Sequence, residues 1–145
     1  MTPFSDIYSR FLDRVQDYTV LGLDCRVIEQ QMHSYLSSAE ADFARFAAED
    51  LSDADQDLAC YNADLGSDTI NVLVAGMLYY WVTPKVLMTD NFANLLNTKD
   101  YTTHSNANLL LQLKELRATL RREFLSKISD YCTAHGNIEE WRVQR

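Results

Sequence analysis

The sequence predicts a mainly α-helical protein: a bundle of about five helices, with a long C-terminal helix and an extended C-terminal arm. Only four glycines and two prolines occur in 145 residues, too few for many short strands joined by tight turns. Long stretches instead repeat apolar residues at helical spacing. The 47% hydrophobic and 23% charged fractions are typical of a folded globular chain. We expect one helical domain, residues 1–136, followed by an arm, residues 137–145.

Two amphipathic helices are predicted at the start of the chain. Thr2 is a good N-cap and Pro3 suits the first helical position, so the first helix begins there and runs to about Gln16. Asp24 is a good N-cap for the second helix, which covers residues 25–48. Both present one apolar face, as helices that cover a core do.

An acidic segment follows these helices. Residues 36–68 contain nine acidic side chains and one basic one, in a chain of net charge −8. Residues 49–57 are therefore expected to form an exposed loop or a frayed helix end. Residues 58–62 are the strand candidate of the chain, so a short β-hairpin has room here. The acids of interest in the loop are Asp53, Asp55 and Asp57.

The third helix, predicted at residues 69–82, has no polar face. Every residue from 72 to 82 is apolar or glycine, and such a helix must be covered on all sides. Either the other helices surround it, or one side, at Tyr79 and Tyr80, becomes buried only when subunits assemble. Pro84 is expected to end this helix, because the residue before a proline avoids helical angles.

Two more helices complete the predicted bundle. A shorter one covers residues 85–96, and a polar loop follows at residues 97–104. The longest helix begins near residue 105 and stops at Gly136. Its apolar stripe extends over more than six turns and predicts one continuous buried face. The stripe consists of Leu109, Leu113, Leu116, Leu120, Phe124, Ile128 and Tyr131.

The arm carries large apolar side chains on a segment too short to form its own core. Chain ends are usually polar unless something holds them, so the arm either folds back on the bundle or binds a partner. Tryptophan and arginine side chains are typical of interface hot spots. The predicted partner-binding residues are Ile138, Trp141, Arg142, Val143 and Arg145.

Composition argues against several classes of function. A pI of about 4.7 does not suit a dedicated nucleic-acid surface, which must neutralise phosphates. No run of 18 wholly apolar residues predicts a membrane span, and the first residues lack the pattern of a signal peptide. The cysteines, Cys25, Cys60 and Cys132, are odd in number and far apart, so no disulfide framework is expected.

No catalytic, cofactor or metal site emerges from the sequence, so we expect no enzyme. Phosphate loops, nucleophile elbows and zinc-helix motifs are missing from the sequence. Cys132 and His135 form one half of a zinc pattern without a second pair. The acidic loop approaches a calcium-loop template but has Leu58 where the template needs glycine, and the shorter Asp64 where it needs glutamate.

Several motifs resemble small structural proteins of tailed bacteriophages, the head–tail connector (adaptor) family. The resemblance covers roughly residues 50–135 and ends with the long leucine- and charge-rich helix. Its motifs are Ile70…Leu73-Val74-Ala75-Gly76-Met77…Trp81-Val82-x-Pro84, Lys99-Asp100-Tyr101 and Ser105-Asn106-Ala107-Asn108-Leu109.

The resemblance implies a non-catalytic virion protein, made in the bacterial cytoplasm and located in the virion neck. Such proteins form homo-oligomeric rings, commonly of twelve copies, and dock beneath the portal protein through a C-terminal arm. They also meet a neighbouring neck or tail-completion protein, and DNA passes through the channel only as cargo. Asp53, Asp55 and Asp57 are then candidate channel-facing acids, which would repel DNA phosphates. The alternative is an acidic helical module that binds a basic protein, and a small enzyme comes third.

Overall fold

The computed structural model describes residues 1–15, 23–96 and 103–136, with side chains in 1–15, 23–90 and 107–136. The predicted arm at 137–145 lies outside the described residues, as does most of the polar loop. The prediction that the first helix runs to about Gln16 was wrong: the helix ends at Leu12, and residues 13–15 are not helical.

The described residues are mainly helical, as predicted, with a small antiparallel sheet. Four helices replace the predicted five, and the long C-terminal helix is present. The helices are α1 Phe4–Leu12, α2 Cys25–Phe43, α3 Ser67–Leu96 and α4 Thr103–His135; the strands are β1 Thr2–Pro3, β2 Ala54–Asp55 and β3 Cys60–Tyr61.

The first residues form a strand rather than a helix cap. Thr2 pairs with Tyr61 and Pro3 pairs with Cys60, so β1 lies beside β3 at the edge of the sheet. The Thr2 hydroxyl accepts a hydrogen bond from the Leu65 amide at 2.9 Å and makes no cap bond to α1. The prediction of an N-cap at Thr2 was therefore wrong, because pairing with β3 takes this segment out of the helix.

The strand candidate of the sequence belongs to a real hairpin. β2 pairs with β3, with Ala54 opposite Tyr61 and Asp55 opposite Cys60. The four-residue turn ends at Ala59, whose φ of 51° lies in the left-handed region. The Ala59 carbonyl accepts the Phe4 amide at 2.9 Å, which connects the turn to the start of α1.

The second helix ends earlier than predicted, at Phe43. Beyond it the chain turns so that Phe46 becomes buried. The amide of Ala48 then donates to the Tyr131 hydroxyl at 2.8 Å instead of to a helical carbonyl. A tertiary hydrogen bond to α4 thus replaces the last predicted turn.

α3 is 30 residues long. It continues through Pro84 and includes the residues of the helix predicted at 85–96. The prediction of a stop at Pro84 was wrong. Proline removes one amide donor to the carbonyl four residues earlier, that of Tyr80. The Thr83 hydroxyl meanwhile donates to the Tyr79 carbonyl at 2.8 Å.

The first half of α3 is the central helix of the bundle. Residues 72–79 are all buried, with α1 and α2 packed on this helix along with α4. By length and composition alone, Ser67–Asp90 is apolar enough to cross a membrane, but 56% of its most apolar window is buried inside the protein. A soluble core helix has this property too.

Gly76 marks the closest approach of three helices. A Cβ on this residue would lie 2.5 Å from the Ala39 Cβ of α2 and 2.9 Å from two ring atoms of Phe124 on α4. Only a glycine lets the three helices meet at this distance.

The apolar stripe of α4 is buried only in its second half. Phe124, Ile128 and Tyr131 are buried, whereas Leu109 and Leu116 are exposed. The expected continuous buried face is therefore wrong for the first half, where no helix other than α3 packs on α4 among the described residues. Gly136, with φ of 80°, ends the helix as predicted.

Candidate functional site

A pocket of about 450 Å³ lies between α2, α3 and α4. Its walls combine charged and aromatic side chains with an apolar floor. We call it the arginine pocket; its lining includes Asp42, Arg45, Tyr79, Tyr80 and Arg121 around Phe124, Leu125 and Ile128.

Two arginines of α4 surround the ring of Tyr79. The guanidinium carbons of Arg117 and Arg121 lie 5.9 Å and 5.7 Å from the ring centre, within range of a cation–π contact. Arg121 also donates from a terminal guanidinium nitrogen to the Tyr79 hydroxyl at 3.3 Å. Burial raises the pKa of Tyr79, but the hydrogen bonds and charges of the two arginines outweigh it, so the pKa is lowered.

The neighbouring tyrosine has the opposite partner. The Tyr80 hydroxyl donates to the Asp42 carboxylate, and its ring meets the Tyr79 ring edge-on at 5.0 Å. Burial and then the Asp42 contact raise the pKa of Tyr80. Arg45, on the turn after α2, lies over the Phe46 ring at 4.6 Å.

The pocket has an excess of positive charge in a protein of net charge −8. Arg45, Arg117 and Arg121 stand against the single carboxylate of Asp42. None of the three guanidiniums forms an ion pair within 4.0 Å with a carboxylate of the described residues. Planar guanidiniums with free donors bind carboxylates and phosphates in bidentate fashion. The arrangement suits an anionic group held over an apolar floor.

The predicted channel-facing acids lie together on the β2–β3 hairpin. The Asp55 carboxylate accepts the amides of Asp57 and Leu58 at 2.9 Å and 3.0 Å, and Asp53 accepts from the Asn62 side chain at 2.6 Å. Two of the three acids thus stabilise the turn that displays them. Asp53 and Asp57 are exposed and Asp55 is half-buried; the channel role of these acids stays a prediction.

A third polar cluster holds the base of the bundle together. The Glu49 carboxylate accepts hydrogen bonds from the Gly66 amide at 3.1 Å, the Thr69 hydroxyl at 2.9 Å and the Tyr131 hydroxyl at 3.1 Å. It therefore satisfies the start of α3 and ties it to α4. Burial raises the pKa of Glu49, but these hydrogen bonds outweigh it, so the pKa is lowered. We interpret this cluster as structural.

The distal part of the α3–α4 pair exposes large apolar side chains. We call this the distal surface. Leu87 and Met88 on α3 are 56% and 66% exposed. Met88 also borders a pocket that residues of α1 and α2 line. Since Gly76 faces Phe124 and the helices are antiparallel, residues 87 and 88 lie level with residues 112 and 113 of α4. The exposed leucines of α4 at that level are Leu109, Leu111 and Leu116.

The structure separates the predicted site residues. Tyr79 is only 7% exposed within the single chain, and Tyr80 is half-buried. Burial of Tyr79 therefore needs no second subunit, and the interface role of both tyrosines stays a prediction. The hairpin acids lie near the start of α3, about 18 Å along the helix from Tyr79. The predicted arm residues, Ile138, Trp141, Arg142, Val143 and Arg145, lie outside the described residues.

Sequence reasoning missed the arginine pocket, because it rested on the apolar stripe of the long helix and not on its arginines. A signal was present: Arg117 and Arg121 are four residues apart with leucines at positions 113 and 125. Like charges at this spacing destabilise a helix unless something else compensates them. Arg45, from a different element, had no such signal.

Among the described residues, no group of three or more histidine, cysteine, aspartate or glutamate side chains is placed to hold a metal ion. Comparison of the chain with protein-family models, curated proteins and solved structures found no match.

Proposed function

We propose that this protein is a structural, ring-forming head–tail connector of a tailed-bacteriophage virion. In this role it is made in the bacterial cytoplasm and assembles in the virion neck as a homo-oligomeric ring, twelve-fold by analogy with the resembled family. It carries no catalysis and no cofactor, and DNA passes only as cargo. The observation that carries the proposal is the distal surface.

The distal surface is unusual for a protein that acts alone. Leu87 and Met88 of α3 are exposed at the same level as Leu109 and Leu116, which share one face of α4, and Leu111 is exposed on another face. Soluble monomers rarely expose several large apolar groups together. A helix that is apolar on a face must bury that face against another element. A second copy of the chain provides an equivalent helix pair, so association covers the surface without a new fold.

The remaining features fit the same role. The hairpin acids Asp53, Asp55 and Asp57 are candidates to line the channel, where negative charge would keep DNA phosphates from binding. The arm residues are candidates to contact the portal protein, and the opposite rim would meet a neighbouring neck or tail-completion protein. The arm residues are Ile138, Trp141, Arg142, Val143 and Arg145.

The exposed acidic hairpin favours a second candidate, an acidic helical module that binds a basic protein. In that role the protein is a stable monomer or dimer, and its activity depends on Asp53, Asp55 and Asp57. Reversing these three charges would then abolish binding to the partner. In a connector the same change leaves association of subunits intact, because the hairpin lies far from the distal surface.

Light scattering on a sizing column tests the connector proposal. The chain is run alone and with the portal protein from the same genome, and we expect about one copy per portal subunit in the complex. The variant Leu87→Ser/Met88→Ser should lose ring formation while it keeps its helical circular dichroism. The control is Leu58→Ser, which changes a leucine that is 64% exposed on the hairpin. A wild-type chain that stays a monomer or dimer with the portal present contradicts the proposal.

A truncation after Gly136 tests the arm. We expect the bundle to melt within a few degrees of the full chain, because the core cluster formed by the described residues precedes Gly136, and portal binding to be lost. A truncated chain that fails to fold would place the arm in the core instead.

A further inference from the structure

The arginine pocket lacks a counterpart for its charge. Arg45 and Arg121 line the pocket, and Arg117 lies beside it at the Tyr79 ring. The single carboxylate of the lining, that of Asp42, already accepts a hydrogen bond from Tyr80. Arg117 and Arg121 repel each other at helical spacing. An incoming carboxylate would relieve that repulsion and satisfy the free donors.

The floor of the pocket limits what can bind. Phe124 and Ile128 are buried beneath it, and Leu125 is exposed at its edge. A small ion would leave this apolar surface uncovered. The best occupant therefore carries carboxylates next to large apolar side chains.

The chain contains one such segment beyond α4. Residues 138–141 read Ile-Glu-Glu-Trp, two adjacent acids between two large apolar residues. The segment follows Gly136, which ends α4. Its charge and its apolar content both complement the arginine pocket.

Chain reach keeps the arm from Arg117 and Arg121 of the same molecule. From Gly136 back to Arg121 the helix covers about 22 Å, and to Arg117 about 28 Å. Helical side chains lean toward the helix N-terminus, which carries both guanidiniums farther still from Gly136. Four extended residues take Glu140 at most about 14 Å from Gly136. An arm whose acids contact both α4 arginines must therefore come from another molecule.

We propose that Glu139 and Glu140 of one copy bind the arginine pocket of a second copy, through Arg45, Arg117 and Arg121. This inference rests on the proposed function, in that it names a contact between subunits. Donor and acceptor surfaces differ, so the contact is heterologous and repeats from copy to copy, as a ring requires. Residues 138–141 join neighbouring subunits, while Arg142, Val143 and Arg145 remain for the portal.

Charge reversal in the full chain tests the contact. Arg121→Glu, or Arg45→Glu as the variant with less effect on packing, should weaken self-association at least about tenfold, the effect of losing a charge-assisted hydrogen bond. Glu139→Arg/Glu140→Arg should do the same. The matched control is Arg122→Glu, because within the described part of the chain the hydrogen bonds of Arg122 are to Ala118 and Thr119 of its own helix. Unchanged association in the reversed chains overturns the inference.

Mixing distinguishes contact between copies from contact within one copy. The chain with Arg45→Glu/Arg121→Glu and the chain with Glu139→Arg/Glu140→Arg each associate poorly alone. In the mixture, the acidic arm of the first chain meets the basic pocket of the second. The basic arm of the second chain meets the acidic pocket of the first, so the mixture should regain the wild-type mass. A mixture that stays dissociated overturns the proposal.

A peptide probe separates this inference from the proposed function. A fluorescein-labelled peptide of residues 137–145 should bind the wild-type chain, bind Arg121→Glu at least about tenfold more weakly, and bind Leu87→Ser/Met88→Ser normally. Loss of self-association in the last variant, with peptide binding kept, supports both proposals. A wild-type chain that does not bind the peptide overturns the arm contact, whatever its oligomeric state.

Discussion

The two halves of the α3–α4 pair differ in what covers them. At the base, α1 and α2 also pack on α3, and residues 72–79 are all buried. Beyond Pro84 the same two helices continue with apolar residues, yet Leu87, Met88 and the leucines of early α4 are exposed. We call these the proximal and distal halves.

The difference shows that burial follows from neighbours rather than from apolar content. Both halves have sequences typical of buried helices, but α1 and α2 are too short to follow α3 along its whole length. α1 has 9 residues and α3 has 30. The proximal half therefore contains most of the buried core, and the distal half leaves large apolar side chains exposed. Each prediction below changes one half or the boundary between them.

The largest effect is expected at the proximal crossing. Helix propensity alone predicts that Gly76→Ala stabilises the protein by about 1 kcal/mol. The structure predicts the opposite sign, because the new Cβ lies 2.5 Å from the Ala39 Cβ and the helices must separate. We expect a loss of about 3 kcal/mol, as for overpacked cores, measured by urea unfolding.

A second substitution checks the cause of that loss. Ala39→Gly removes the atom that collides, so Gly76→Ala/Ala39→Gly should recover much of the stability that Gly76→Ala loses. The remaining loss reflects the Phe124 ring, whose atoms lie 2.9 Å away. Equal stability of the single and double variants would show that the crossing does not depend on close approach.

The sequence predicted local features better than tertiary ones. Helical spacing identified the main helices, and the turn residues placed the hairpin candidate at 58–62. The sequence alone could not show that α3 continues past Pro84, because tertiary packing on both sides of a proline overrides its local preference. It also could not divide the α4 stripe at Leu116, since burial there depends on where α1 and α2 end.

The candidate sites follow the same pattern. Asp53, Asp55 and Asp57 were found together because they are close in sequence. The arginine pocket was missed because Arg45 and Arg121 come from different elements. Glu49 looked like one acid of an exposed loop, although it caps α3 from outside that helix.

The next effect concerns Glu49, which ties the proximal half together at its base. Glu49→Ala should cost about 2 kcal/mol at pH 7, because it removes hydrogen bonds to a charged group at a helix N-terminus. The folded-state pKa of Glu49 lies below its ordinary value of 4.5. Its contribution is therefore complete above pH 4.5 and is lost as pH falls through the folded pKa.

Glu40 is the matched control, since it is also half-buried and bonded to a tyrosine, Tyr61, at 3.0 Å. Burial raises the pKa of Glu40, and the Tyr61 bond and the His33 charge offset this only in part. Its contribution is complete below pH 4.5 and is lost as pH rises through the folded pKa. Thermal melts from pH 3 to 7 should show wild type and Glu49→Ala converging at low pH. Glu40→Gln should gain stability relative to wild type as pH rises.

The smallest effect is expected at Pro84, on the boundary between the halves. Pro84→Ala restores an amide donor to the Tyr80 carbonyl and removes the ring that crowds the preceding turn. Because α3 already continues through this residue, the change requires no new structure. We expect the free energy of unfolding to rise by about 1 kcal/mol. The control is Pro3→Ala at the edge of the sheet. It should lower the free energy of unfolding by a few tenths of a kcal/mol, because the unfolded chain without this proline has more conformational freedom.

Hydrogen exchange locates the gain in stability from Pro84→Ala. Slower exchange confined to residues 85–90 would mean that the distal half opens independently of the proximal half. Slower exchange throughout α3 would mean that the two halves unfold as one unit. The proximal and distal halves would then differ in surface exposure but not in stability.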